Sequence, residues 1–141
     1  MILVDSSVWI EAGRRDGDLA FKVGLESLLE VNEAAWCGPV KLEVLGAARP
    51  NERKALEYFF QLVPWLSVKD STWERAKVMN WHLQSRGIKA PWNDILIAAL
   101  GLEKGCRIYA KDKHFDAMAR EAGVMLYVPG YGGSYNEAAE Q

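Results

Sequence analysis

Four carboxylates stand where their neighbours allow joint chemistry: Asp5, Glu43, Asp94 and Asp112. Asp5 closes the apolar run Ile2-Leu3-Val4, and Asp112 stands two residues past the run Cys106–Ala110. Glu43 lies one turn into a helix that Pro39 opens after Ala34-Ala35-Trp36-Cys37. Asp94 belongs to Pro91-Trp92-Asn93-Asp94, and the apolar residues Ile95 to Leu100 follow it without a break. Carboxylates gathered in one pocket repel one another and take up protons unless a cation is present. Hard oxygen donors without His or Cys suit Mg²⁺ or Mn²⁺ rather than zinc. Mg²⁺ keeps several waters and works mostly on phosphate groups, so the chemistry implied is metal-assisted phosphodiester hydrolysis. Each acid also has a purely structural reading. Asp5, Asp94 and Asp112 can cap helices, and Glu43 can be a solvated helix residue. Spacing alone does not show convergence.

The elements that must position these acids follow from the apolar pattern. Ile2–Val4 is a wholly apolar strand of the kind covered on both faces. Ser6 and Ser7 start a helix through Glu11, and Asp18–Val31 forms the next. Ala34–Cys37 is a second strand; Val40–Ala48 and Arg53–Val63 are helices separated by Pro50. Trp65–Val68 reads as a third strand, and the helix Asp70–Ser85 ends at Gly87. Pro91 and Asn93 open the helix Asn93–Glu103, which is apolar on every side and therefore internal. Its first turn carries Asp94, to which the helix terminus contributes about 0.3–1 kcal/mol. Ala98 and Gly101 share a face with Asp94 and leave a groove beside it. Cys106–Ala110 is a strand, Lys113–Glu121 a helix, and Val124–Val128 the last strand. Strands alternate with helices throughout, so the fold class is α/β. It is a single-domain, three-layer α/β/α arrangement with a mostly parallel central sheet over residues 1–128, and a flexible tail over 129–141. Sites in such sheets form beyond the C-terminal strand ends, where Asp5 and Asp112 stand.

The 141 residues suffice for one domain with a core. A formal charge of −2 argues against a protein that coats nucleic acid by charge alone. It does not argue against an enzyme touching a short piece of it. Cys37 and Cys106 fall in apolar runs and read as buried free thiols of a reducing compartment. Met1–Val4 is too short for a signal peptide, and no run is long enough to span a membrane. These features place the chain in the cytoplasm.

The motifs, in order, resemble those of the PIN-domain family, specifically its VapC-type toxins. Ile2-Leu3-Val4-Asp5-Ser6-Ser7-Val8-Trp9-Ile10 is similar to the family's first motif, an apolar strand followed by Asp and Ser/Thr-Ser. Val40–Ala47, with Glu43, resembles its second acidic motif, and Asn93–Ala99 its Asp-x-x-Ile-Ala-Ala helix. Lys111-Asp112-Lys113-His114-Phe115 resembles its last motif, Asp-x-Asp/His-Phe. The likeness runs from Met1 to about Val128. It implies a PIN-like fold and Mg²⁺, with Mn²⁺ as a substitute, held by Asp5, Glu43, Asp94 and Asp112 for RNA cleavage. Ser6 and Asp116 would stand in an outer shell, although Asp116, at i+4 from Asp112, reads by itself as surface. The resemblance further implies a cognate antitoxin of VapB type as partner, and a homodimer. Ala110 departs from the pattern by replacing a Thr hydroxyl. His114 occupies a position often held by a further Asp and is read as a packing or polar residue rather than a ligand.

Arg14, Arg15, Lys111 and Lys113 can meet phosphates near the site, although most read as solvated charges. Trp9 and Trp92 can stack on bases, with core packing the plainer use. An exposed groove between the early helices would suit an antitoxin helix. Two alternatives remain: a PIN-like binding module that has lost its metal, and a phosphoryl-accepting receiver domain. The second lacks paired acids after the first strand, because Ser6 and Ser7 follow Asp5.

Overall fold

In the computed structural model, which describes residues 1–138, β1 (Ile2–Val4) lies at the heart of the fold. Its three residues are 0–1 % exposed. Successive strand side chains point to opposite faces, so both faces of β1 are covered. Parallel partners flank it. β2 (Ala34–Cys37) pairs Ile2 with Ala34, and β4 (Arg107–Tyr109) pairs Ile2 with Arg107 and Val4 with Tyr109. β3 (Trp65–Leu66) extends the sheet beyond β2, giving the order β3-β2-β1-β4. The chain therefore builds outward on one side of β1 and then crosses to the other. That reversal opens a crevice at the C-terminal end of β1.

Seven helices occupy the described residues: α1 (Ser6–Gly13), α2 (Leu19–Glu30), α3 (Gly38–Val44), α4 (Arg53–Phe60), α5 (Asp70–Ser85), α6 (Trp92–Lys104) and α7 (His114–Ala122). The expected α/β class with a parallel sheet is what the chain adopts. α6 is buried from Asp94 to Gly101, as its unbroken apolar run requires. Gly105 and Gly123 end α6 and α7 in the left-handed conformation.

Several features differ from the sequence reading. Val124–Val128 is not a full strand: it makes one parallel bridge, Ile108 with Leu126. Two backbone hydrogen bonds of 2.8 Å hold it there, from Ile108 N to Met125 O and from Tyr127 N to Ile108 O. Pro129, which has no N–H, follows directly. α3 stops at Val44 rather than Ala48, because the N–H groups of Leu45 and Gly46 both fold back onto Lys41 O. β3 covers two residues where four are expected, and α4 ends at Phe60 rather than Val63.

Ala98 and Gly101 are buried rather than lining an open groove beside Asp94, and Gly101 lets α6 lie close to β4. A Cβ on Gly101 would stand 2.9 Å from Ile108 Cδ1. Within the tail, expected to be loose, Tyr135 and Asn136 make contacts with the domain. The Arg107 guanidinium, 6 % exposed, donates to Asn136 O at 3.1 Å and lies over the Tyr127 ring. Tyr135 stacks on Tyr127, and Asn136 N donates to the Tyr127 hydroxyl. Residues 139–141 of the expected tail lie outside the described residues.

Candidate active site at the C-terminal strand ends

Each acid reaches the crevice by a different local route. Asp5 follows β1, and its N–H still bonds Tyr109 O, so the sheet holds its backbone. Its carboxylate also caps α1, accepting from the Ser7 N–H at 3.0 Å and the Ser7 hydroxyl at 2.6 Å. Cap and site are thus one feature. Glu43 comes from α3 beyond β2 and accepts the Ser6 hydroxyl at 3.0 Å. Asp94 lies in the first turn of α6 but caps nothing: Pro91 holds the cap position, and no side chain completes it. Asp112 stands past β4 and accepts the His114 N–H at 2.9 Å, which starts α7.

The electrostatics join all four. Burial is the largest influence on Asp5 and raises it; the Ser7 hydrogen bonds oppose this, and the charges of Glu43 and Asp112 add to it. Asp94 is only 5 % exposed. Burial first, then the adjoining Asp112 carboxyl and the charges of Asp5 and Glu43, push it up to about 8. Burial acts upward on Asp112 too. Its contacts with Asp94 and with the His114 N–H outweigh that and hold it below the ordinary carboxylate range.

His114 is the unexpected member. Its Nδ1 lies 2.7 Å from Asp112 Oδ1 and 3.2 Å from Asp94 Oδ2. It is aligned for a hydrogen bond with neither. Among the described residues, the buried side-chain polar atoms without a hydrogen-bond partner are Asp5 Oδ1, Asp94 Oδ2 and His114 Nδ1. Buried polar atoms are rarely left unpaired. Here they meet in one cluster whose carboxylates repel one another, and Asp94, Asp112 and His114 offer donor atoms within 4.8 Å of one another. This fits a divalent cation: orphaned carboxylate oxygens supply hard donors, and positive charge would relieve the repulsion that raises Asp94.

The remaining candidates fall outside this cluster. Asp116 is exposed and takes no part in the site's hydrogen bonds; as an acid in the first turn of α7 it suits the helix terminus. Lys111 and Arg14 are drawn to buried Glu11, at 2.9 Å and 3.7 Å, rather than held free for phosphate. Asp18 N–H and Lys111 together hold the Glu11 carboxyl below its usual range. Arg15 and Lys113 remain exposed. Trp9 is core, its indole donating to Val4 O, whereas Trp92 is 62 % exposed and stacks on Trp73. Ala110 lines an apolar cavity between α2 and the tail.

Sequence reasoning missed two contributors. Ser7 rather than Ser6 holds Asp5; its place two residues after an acid, at a helix start, is the signal. His114, a packing or polar residue by the sequence, brings Nδ1 beside Asp112 and Asp94; its place two residues past Asp112 is the signal.

No protein-family model matches the chain. It is 37 % identical over 125 residues to the VapC ribonuclease Mb1587 of Mycobacterium bovis and to Ribonuclease VapC11 of Mycobacterium tuberculosis. Those alignments cover 85 % of this chain and 92 % of each relative. Among solved structures, FitAcB from Neisseria gonorrhoeae superposes with a TM-score of 0.73 at 17 % identity, covering 91 % of this chain and 97 % of the other. VapBC-5 from Mycobacterium tuberculosis, a member of the VapBC family of toxin-antitoxin systems, gives 0.63 at 22 %, covering 90 % and 98 %. At such identities the structures speak for the fold, and the curated relatives speak for the family. With that identity spread over most of both sequences, the chain belongs to the VapC ribonuclease family.

Proposed function

We propose that this chain is a divalent-cation-dependent endoribonuclease toxin that cuts RNA phosphodiester bonds and is silenced by a cognate, VapB-like antitoxin. Kinship with VapC ribonucleases supports the reaction class. The observation that carries the metal dependence is the pair of buried, unpartnered carboxylate oxygens, Asp5 Oδ1 and Asp94 Oδ2, in a field of like charge. Asp5, Glu43, Asp94 and Asp112 would hold Mg²⁺, with Mn²⁺ able to substitute. Bound there, the cation would make a water more acidic and offset charge on the attacked phosphate. The chain's own residues do the rest. Ser7 fixes one oxygen of Asp5 and leaves the other open, and Ser6 steadies Glu43. Exposed Arg15 and Lys113 are available to the RNA backbone.

The antitoxin has a surface to use. A groove of about 1010 Å³ runs between α1 and the α3–α4 segment, lined by Trp9, Ile10, Arg14, Val44, Ala47 and Leu56, and Glu43 also borders it. A partner segment lying there would end beside the acids. The homodimer has support in exposed Trp73, Trp81, Val78 and Trp92 on α5 and α6. Free, buried Cys37 and Cys106 accord with the cytoplasm, and no helix among the described residues is long and apolar enough to cross a membrane.

Antitoxin-free protein incubated with labelled total cellular RNA tests the reading. Cutting in Mg²⁺ or Mn²⁺ that stops in EDTA, and that Asp5→Asn lacks, is the expected result. Equal cutting by the wild type and Asp5→Asn would overturn the four-acid site.

A further inference from the structure

We infer that His114 donates Nδ1 to the cation and thereby sets which ion the site prefers, tilting an otherwise all-oxygen donor set from Mg²⁺ toward Mn²⁺. The inference rests on the metal site proposed above and deepens it.

Three observations lead there. The first is position. The Asp112 carboxylate accepts the backbone N–H of His114, so this short turn holds carboxylate and imidazole together. Phe115, 1 % exposed, anchors the start of α7 just behind. The second is spacing. Two ligands at right angles on an ion with bonds of about 2.1 Å stand about 3.0 Å apart. The Nδ1 separations of 2.7 Å to Asp112 Oδ1 and 3.2 Å to Asp94 Oδ2 straddle that value. The third is vacancy of partners. Nδ1 is closed to solvent yet hydrogen-bonded to nothing, and so is Asp94 Oδ2 on a side chain 7 % exposed. With its lone pair free, Nδ1 is an acceptor like Asp94 Oδ2, so the two atoms, 3.2 Å apart, make a poor pair with each other and a good pair around a third body.

The chemistry then separates the ions. A neutral imidazole binds metal through one nitrogen. Mg²⁺ takes carboxylates, phosphates and water, whereas first-row ions accept nitrogen readily. Adding one nitrogen therefore favours Mn²⁺ more than Mg²⁺. The competing use of His114 is as a protonated counter-ion between Asp94 and Asp112, which places no nitrogen on the metal.

The test is binding, read without turnover. Mn²⁺ is added to the full-length protein in a nitrogen-free buffer, and electron spin-echo modulation reports nitrogen coupled to the bound ion. Titration calorimetry gives Mn²⁺ and Mg²⁺ affinities for wild type, His114→Ala and His114→Asp. Asp94→Asn is the control for the site itself. Wild type should show nitrogen coupling that both His114 variants lose. Even outer-shell partners of metal ligands are worth about 10–100-fold in affinity, so Mn²⁺ binding should weaken about tenfold or more in His114→Ala. Mg²⁺ affinity should move less than Mn²⁺ affinity, so the Mn²⁺ preference shrinks. His114→Asp, which restores an oxygen, should keep Mg²⁺ and lack the coupling, and it decides the matter if the Ala variant does not fold. Bound Mn²⁺ without nitrogen coupling, or an unchanged Mn²⁺ preference in the Asp variant, overturns the inference and leaves the acid site standing. Mn²⁺ that does not bind wild type, or that still binds Asp94→Asn unchanged, overturns the acid site and the role of His114 together.

Discussion

The Ser7 hydroxyl accepts the Lys111 backbone N–H at 2.9 Å, across 104 positions of sequence, and donates to Asp5 Oδ2 at 2.6 Å. One hydroxyl thus ties the acid at the end of β1 to the loop that carries Asp112. Ser7→Ala removes both bonds, leaving the Lys111 N–H without its acceptor and Asp5 Oδ2 with only the backbone N–H of position 7. Hydrogen bonds of this kind, one of them to a charged group, are worth about 1–3 kcal/mol. Urea unfolding should show a loss of that order, and Mn²⁺ affinity should fall with it. A variant as stable as wild type, with unchanged Mn²⁺ affinity, would remove Ser7 from the site.

Metal-free protein should lose stability as pH rises from about 4 to about 8. Asp94 in the native state titrates near 8 rather than at its ordinary 3.8, and Asp5 is shifted the same way. Between those values the native chain binds more protons than the unfolded chain, so the stability slope is negative. Asp112 is shifted downward and acts only below the ordinary carboxylate range. Saturating Mn²⁺ should flatten the slope, because the ion replaces the proton. Melting temperatures at pH 5 and pH 8, with EDTA or Mn²⁺, check this; a flat profile in EDTA would contradict the buried-acid account.

Asp94→Asn should separate stability from activity. Removing a buried charge that nothing offsets should raise the metal-free melting temperature at pH 8 by about 3 °C or more, the shift that about 1 kcal/mol gives in a domain of this size. RNA cleavage should fall by about 10²-fold or more, the usual scale for one electrostatic contributor at an active site. Paired melting and cleavage assays measure both. A variant that is destabilised in EDTA would show Asp94 to be held by contacts rather than strained by repulsion.

Truncation before Ser134 should destabilise the fold even though it touches none of the four site acids. It removes the Asn136 carbonyl that accepts from Arg107, the Tyr135 ring on Tyr127, and the Ser134 carbonyl that accepts the Gly130 N–H. A guanidinium 6 % exposed would lose a main acceptor. Hydrogen bonds to charged groups are worth about 1.5–3 kcal/mol, and the measured loss in urea should be at least that. Unchanged stability would restore the picture of a loose tail.

The sequence by itself determined the class of fold and the types of group available for chemistry. Ile2–Val4 and Ile95–Leu100 are too apolar for any surface, and their alternation with turn residues leaves little besides a buried parallel sheet with a buried helix beside it. Boundaries held where a local signal was strong, as at Gly105 and Gly123. They slipped where tertiary hydrogen bonds decided, as at α3 and at the single bridge of Leu126.

Only the tertiary structure decided which groups meet. Asp5 and Asp112 lie far apart in sequence, yet the charge of Asp112 acts on Asp5 because β1 and β4 are adjacent strands. It also decided that Glu11 gathers Lys111 and Arg14, that Ser7 rather than Ser6 holds Asp5, and that His114 enters the cluster. The physical reason is common to all. Periodicity reports which face of an element is buried, a local property of the chain. Partner, distance and charge at a site depend on which strand lies beside which, and that is settled only when the whole sheet closes its core.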